Sequence, residues 1–129
     1  GDVVRFAGWQ RDARPWYEAM DLMVLPSIRE GLPNAVLEAM AMGTATATTD
    51  VGGVRDLVDD GCCGLLLPED REAWVQPLAE LLKDDARRQQ MAGAARWRIE
   101  QRFAFAHRMR RITEIYDALL SIEEARAAA

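Results

Sequence analysis

Four consecutive apolar residues, Leu22-Met23-Val24-Leu25, are followed by Pro26, a mixed stretch, and then Val36, Leu37, Met40 and Ala41 at helical spacing. A short unbroken apolar run reads as a parallel strand buried on both faces. The later repeat gives a helix over residues 33–42 its core-facing side. Pro26 ends the strand. Pro33 suits the first helical position, where its missing N–H would be unsatisfied anyway, and Gly43 suits the stop. The alternation recurs along the chain. Residues 3–7 read as a strand ended by Gly8, and 14–20 as a short helix with Trp16, Tyr17 and Met20 turned inward. Residues 44–49 read as a strand, Gly52-Gly53 as a turn, and 54–58 as a helical stretch. Asp59-Asp60-Gly61 then turns into a last strand over 64–67. From Asp70 onward the pattern is helical. Trp74, Leu78, Leu81 and Leu82 share one face, and Asp84-Asp85 caps a second helix carrying Met91, Ala94, Ala95 and Ile99. A third helix, 105–126, carries Ile112, Ile115, Tyr116, Leu119 and Leu120, with a fraying tail from Glu123.

Strands alternating with helices predict an α/β fold: a Rossmann-like parallel sheet of about four strands, flanking helices and a helical C-terminal part. The strand Thr44-Ala45-Thr46-Ala47-Thr48-Thr49 is less apolar than a buried parallel strand should be, so its hydroxyls need partners. In such sheets ligands bind outside the carboxyl ends of the strands. Glu30, Gly31, Gly52 and Gly53 directly follow strands and fall together on that edge. The helix start at Pro33 offers free N–H groups and a dipole that favour an anion. A diphosphate could rest there on the N–H groups of Asn34 and Ala35. Glu38, about one and a half turns inside the helix, is placed to accept from a ribose diol, and Glu30 to meet the group beyond the phosphate.

The chain has 129 residues, half of them hydrophobic, which suits a single unit over 1–129. A net charge of −5 and a sequence pI near 4.9 argue against a nucleic-acid partner. No apolar run approaches the ~20 residues of a membrane span. Gly1-Asp2 opens without a leader pattern and without Met, which suits a fragment or a processed form. Cys62 and Cys63 are adjacent and belong to no CxxC or Cys/His set. Reduced thiols and a cytoplasmic location are the expectation.

Glu30-Gly31-Leu32-Pro33-Asn34 followed by Glu38-Ala39-Met40 resembles the Glu-(seven residues)-Glu signature of retaining GT-B glycosyltransferases of family 4. The flanks agree in order: Phe6-Ala7-Gly8-Trp9, Leu25-Pro26-Ser27, Thr49-Asp50-Val51-Gly52-Gly53-Val54, Asp60-Gly61 and Gly64-Leu65-Leu66-Leu67-Pro68. The resemblance implies the later part of the C-terminal, donor-binding half of a hexosyltransferase. Its donor is a nucleoside-diphosphate sugar, its acceptor a hydroxyl, and it needs neither cofactor nor metal. It implies Glu30 as the catalytic residue, beside the donor sugar. It implies donor contacts from Glu38, from main-chain groups of Gly31, Leu32, Asn34 and Ala35, and from the loop at Trp9 and Gln10 near the base. An N-terminal acceptor-binding half, two strands, a Gly-rich turn and an Arg and Lys pair of the family's pattern have no counterpart here. The expectation is therefore a chain inactive by itself.

Plainer roles stand beside these. Glu30 also suits the helix dipole, Trp9 equally covers a sheet end, and Gly52 and Gly53 border the donor or serve only as a turn. Ser27 and Arg29 are weaker candidates. His107 reads as a surface or packing residue. Arg96, Arg98, Arg102, Arg108, Arg110 and Arg111 read as a solvated helical face, with peripheral contact to an anionic membrane or acidic partner as the other reading. A non-catalytic nucleotide-binding module, and an epimerase or phosphorylase on the same fold, are the alternative functions.

Overall fold

The computed structural model describes residues 3–127, and side-chain surroundings through Ile122. Three parallel strands, β1 (Met23–Leu25), β2 (Thr46–Thr49) and β3 (Leu65–Leu67), lie in the order β1-β2-β3. Met23 sits opposite Thr46 and Ala47 opposite Leu65. The helices are α1 (Arg14–Ala19), α2 (Asn34–Ala41), α3 (Val54–Leu57), α4 (Val75–Lys83), α5 (Asp85–Arg102) and α6 (Phe105–Ala127). Residues 128–129, at the end of the tail read as fraying, lie outside the described residues.

The core forms where α2 is pressed between the sheet and α5. Val36, Ala39 and Met40 of α2 are buried with Val54 and Leu57 of α3, Cys63, and Ala95 and Ile99 of α5. The 3.6-residue period of α2 puts those three on one side and leaves Glu38 on the other. β2 is the central strand, and the threonine hydroxyls in it and just before it find acceptors, Thr48 Oγ1 reaching Thr49 O at 3.4 Å. Thr46 Oγ1 donates to Thr44 O at 3.1 Å, Thr44 Oγ1 to Tyr17 O at 2.8 Å, and Thr49 Oγ1 to Ser27 O. A strand that looks too polar is thereby accommodated at the middle of the sheet.

Several expectations are corrected. Residues 3–7 form no strand; Val3 is 94% and Phe6 97% exposed. β-propensity records a fit to a pleated, half-buried surface, and among the described residues no strand lies beside this segment to supply one. Among the described residues the sheet has three strands, not about four. Pro33 is the N-cap of α2, its ψ of 109° placing it just outside the helix. Of the α1 residues expected inward, only Tyr17 packs against the core; Trp16 and Met20 are exposed. The helical run after Asp70 begins as a 3-10 turn (Arg71–Trp74), with Asp70 accepting from the Glu72 N–H. Leu82 is exposed and does not share the buried face of Leu81, while Trp74 and Leu78 are half-buried.

Asp84 is the N-cap of α5 and accepts from the Arg87 N–H at 2.9 Å. Cys62 and Cys63 are free thiols, the second in the core. The arginine run is not one solvated face, since Arg98 reaches the Asp56 carbonyl at 3.1 Å and is half-buried. His107 is exposed. Among the described residues no helix is long and apolar enough to cross a membrane.

Candidate functional site

The loop leaving β1 carries Ser27, Glu30 and Gly31 to the start of α2. Ser27 Oγ donates to Glu30 Oε1 at 2.6 Å, which fixes one carboxylate oxygen and leaves Oε2 for another partner. The turn after β2 presses on this loop. Gly53 N–H donates to Gly31 O at 2.6 Å. Gly52 holds φ of +57°, and a Cβ there would lie 2.0 Å from Glu30 O. Only glycine allows that approach.

α2 begins with no side-chain cap and no acidic residue in its first turn. Its first N–H groups are therefore not satisfied by a capping side chain. Gly31, Leu32 and Asn34 around that start are exposed, and Ala35 is half-buried.

Glu38 is exposed on α2 and faces α1, where Tyr17 Oη donates to Glu38 Oε2 at 3.2 Å. The Tyr17 phenol is pushed up from its ordinary value, first by burial and then by the Glu38 charge and hydrogen bond. Trp9, Gln10, Tyr17 and Glu38 line one cavity of about 560 Å³ with Asp12 and Arg14. Gln10 Nε2 donates to Ala7 O at 2.7 Å. At the rim the Arg14 guanidinium and main-chain N–H bond to Asp12 and lower its carboxyl to about 2.

The structure thus brings Glu38, Trp9 and Gln10 to one cavity. Glu30, Gly31, Leu32, Asn34 and Ala35 lie outside it, on the loop and first turn that lead to Glu38. Arg29 is exposed on that loop. Sequence reasoning missed Tyr17 as a partner of Glu38, since the two are 21 residues apart and no local pattern links them. The strand-end edge expected to bind a ligand carries a second cavity, of about 580 Å³, most of whose lining the sequence reasoning did not name. Ser27, Thr49, Asp50, Arg55, Asp60 and Trp74 contribute to it. There Arg55 pairs with Asp50, Trp74 Nε1 donates to Pro68 O at 2.7 Å, and the Arg71 guanidinium stands 6.0 Å from the Trp74 ring centroid. Its cations are engaged by neighbouring carboxylates and rings. Among the described residues no group of three or more His, Cys, Asp or Glu side chains is arranged to hold a metal ion.

Comparison with known proteins gives a consistent picture. Residues 1–84 match the family model of glycosyl transferases group 1. A D-inositol 3-phosphate glycosyltransferase of Thermobispora bispora is 38% identical over 122 residues, covering 92% of this chain and 28% of that protein. Among solved structures, sucrose-phosphate synthase from Thermosynechococcus elongatus superposes with a TM-score of 0.78 at 28% identity, covering 83% of this chain and 27% of its own. Anabaena HepE in complex with UDP-glucose shares the fold with a TM-score of 0.77 at 24% identity, covering 84% of this chain and 30% of its own. The chain therefore spans between 27% and 30% of the length of these proteins. The chain belongs to the glycosyl transferases group 1 family, of GT-B architecture.

Proposed function

We propose that this chain is the donor-binding part of a retaining glycosyltransferase that moves a hexose from a nucleoside-diphosphate sugar to an acceptor hydroxyl. The observation that carries the reading is the position of Glu38. It lines a cavity with Trp9 and Gln10 on the same short helix that opens with uncapped N–H groups. A nucleoside diphosphate has a flat base, a diol and a charged link in that order. The Trp9–Gln10 loop, the Glu38 carboxylate and the start of α2 supply matching groups.

Glu38 accepts hydrogen bonds from the ribose hydroxyls, while Tyr17 holds one of its oxygens in place. The N–H groups of Asn34 and Ala35 meet the diphosphate, where the helix dipole favours negative charge. Gly31 and Leu32 offer main-chain groups to the link and the sugar. Glu30, oriented by Ser27, stands next in line along the loop. There it orients the sugar and stabilises positive charge developing at the anomeric carbon. Catalysis is positioning plus stabilisation of the leaving diphosphate. The leaving phosphate oxygen can itself take the acceptor proton. The acceptor is held by a preceding half of the complete protein, and the two free cysteines suit a cytoplasmic setting.

The solved UDP-glucose complex of HepE, a protein of the same fold, supports a sugar-nucleotide donor. The test is calorimetric titration of the chain with UDP-glucose, GDP-mannose and ADP-glucose. Saturable binding of one of them to a single site is the expected result. Heats indistinguishable from dilution for all three contradict the proposal.

A further inference from the structure

We infer that Gly52 and Gly53 are positioning residues for the donor site, acting through the Glu30 and Gly31 peptides rather than by touching the donor. The inference rests on the donor-site reading above and deepens it. The connection after β2 grips the Glu30 loop at both ends. Thr49 Oγ1 donates to Ser27 O, and Gly53 N–H donates to Gly31 O at 2.6 Å. Between these ties, a Cβ on Gly52 would lie 2.0 Å from Glu30 O, 2.8 Å from Glu30 C and 2.8 Å from Gly31 O. All three are main-chain atoms, which cannot swing aside as a side-chain tip can. Gly53 is milder: its Cβ would meet Gly31 O at 2.9 Å, and its own φ is −84°.

The contact has a directional consequence. The carbonyls of Glu30 and Gly31 both face the Gly52-Gly53 turn. In a trans peptide the C=O and the following N–H point opposite ways, and no cis peptide occurs among the described residues. The N–H groups of Gly31 and Leu32 therefore both point away from the turn. Consecutive N–H groups aimed to one side are the geometry that receives an anion. The turn occupies the carbonyl side of the loop, so it sets the direction of the N–H side.

The chain and its Gly52→Ala, Gly53→Ala and Gly61→Ala variants are titrated by calorimetry with UDP-glucose and with uridine, the donor and nucleoside being replaced by GDP-mannose and guanosine or by ADP-glucose and adenosine where the parent chain binds that donor instead. Uridine reports the Glu38 cavity without the charged link. Gly61 is the control for backbone strain: it holds φ of +74°, but a Cβ there meets nothing within 4 Å. Gly52→Ala is expected to weaken UDP-glucose by roughly tenfold or more, the loss of a charge-assisted hydrogen bond or two, with uridine affinity unchanged. Gly53→Ala gives a smaller loss of the same kind, and Gly61→Ala leaves both ligands unaffected. If Gly52→Ala does not fold, Thr49→Val, which removes only the tie to Ser27, carries the same expectation at smaller size. Equal losses for both ligands, or UDP-glucose affinity unchanged in Gly52→Ala or in its replacement Thr49→Val, overturn the inference. A parent chain that binds none of UDP-glucose, GDP-mannose and ADP-glucose overturns the donor-site reading itself, and this inference with it.

Discussion

Tyr17 and Glu38 show how burial and one contact together shift a side chain at the candidate site. The Tyr17 phenol is raised mainly by burial, and further by the negative charge and hydrogen bond of Glu38. A proton bound more tightly in the folded state stabilises the fold fully below the unfolded phenol value of about 10 and is lost as pH rises through the higher folded value. Glu38→Ala should therefore lower the Tyr17 midpoint, followed by ultraviolet phenolate absorbance, yet leave it above the ordinary value because burial remains. A midpoint that does not move would contradict the 3.2 Å contact. Ser27→Ala removes the hydroxyl that holds Glu30; both residues are half-buried, so urea unfolding should show a loss of about 0.5–1.5 kcal/mol. The Glu30 and Glu38 spacing was legible in the sequence because a short loop and one helix fix it locally. The partners of those carboxylates were less so. Ser27 stood only as a weaker candidate, and Tyr17 reaches Glu38 only after the chain has folded back on itself.

At the scale of elements, α2 does two jobs with two faces. Its buried side anchors it to the sheet and α5, and its open side and start carry the candidate site. Met40 is fully buried in that anchor. Met40→Ala should cost about 2–5 kcal/mol by urea unfolding, whereas Trp97→Ala, on an exposed face of α5, should stay within about 0.5 kcal/mol. Equal effects would contradict the assignment of α2 to the core. Asp84→Ala should remove the α5 N-cap at a cost of about 1 kcal/mol in the same measurement. The strands at 23–25 and 65–67 were readable from unbroken apolar runs. β2 was readable despite its threonines, because flanking turns bounded it. Residues 3–7 were misread for a physical reason: alternation and propensity describe one strand, while a ladder needs two. The same limit applies to Trp16 and Met20, whose apolar character says nothing about whether a surface lies opposite.

At the scale of the molecule, the three-stranded sheet ends at β1, and both the segment before α1 and one side of α6 expose large apolar residues. Phe6, Trp9, Ile115 and Leu119 are all exposed. The chain spans between 27% and 30% of the solved relatives described above, and the proposed reaction assigns its acceptor site to another part of the complete protein. The whole-molecule fold class was readable because the β-loop-α unit repeats, and the family because its motifs recur in order. The extent of the sheet was not, since the pattern of residues 3–7 does not say whether a neighbouring strand lies beside them. The chain alone is expected to bind a sugar nucleotide without hydrolysing or transferring it. Release of nucleoside diphosphate in a coupled assay would contradict that expectation.

The most direct measurement is the affinity of whichever sugar nucleotide binds the chain, compared by calorimetry with that of the Glu38→Ala variant. With ribose held by Glu38 through charge-assisted hydrogen bonds, the variant should bind roughly tenfold to a hundredfold more weakly while its unfolding transition stays in place. Equal affinity in the two proteins would contradict a donor site built around Glu38.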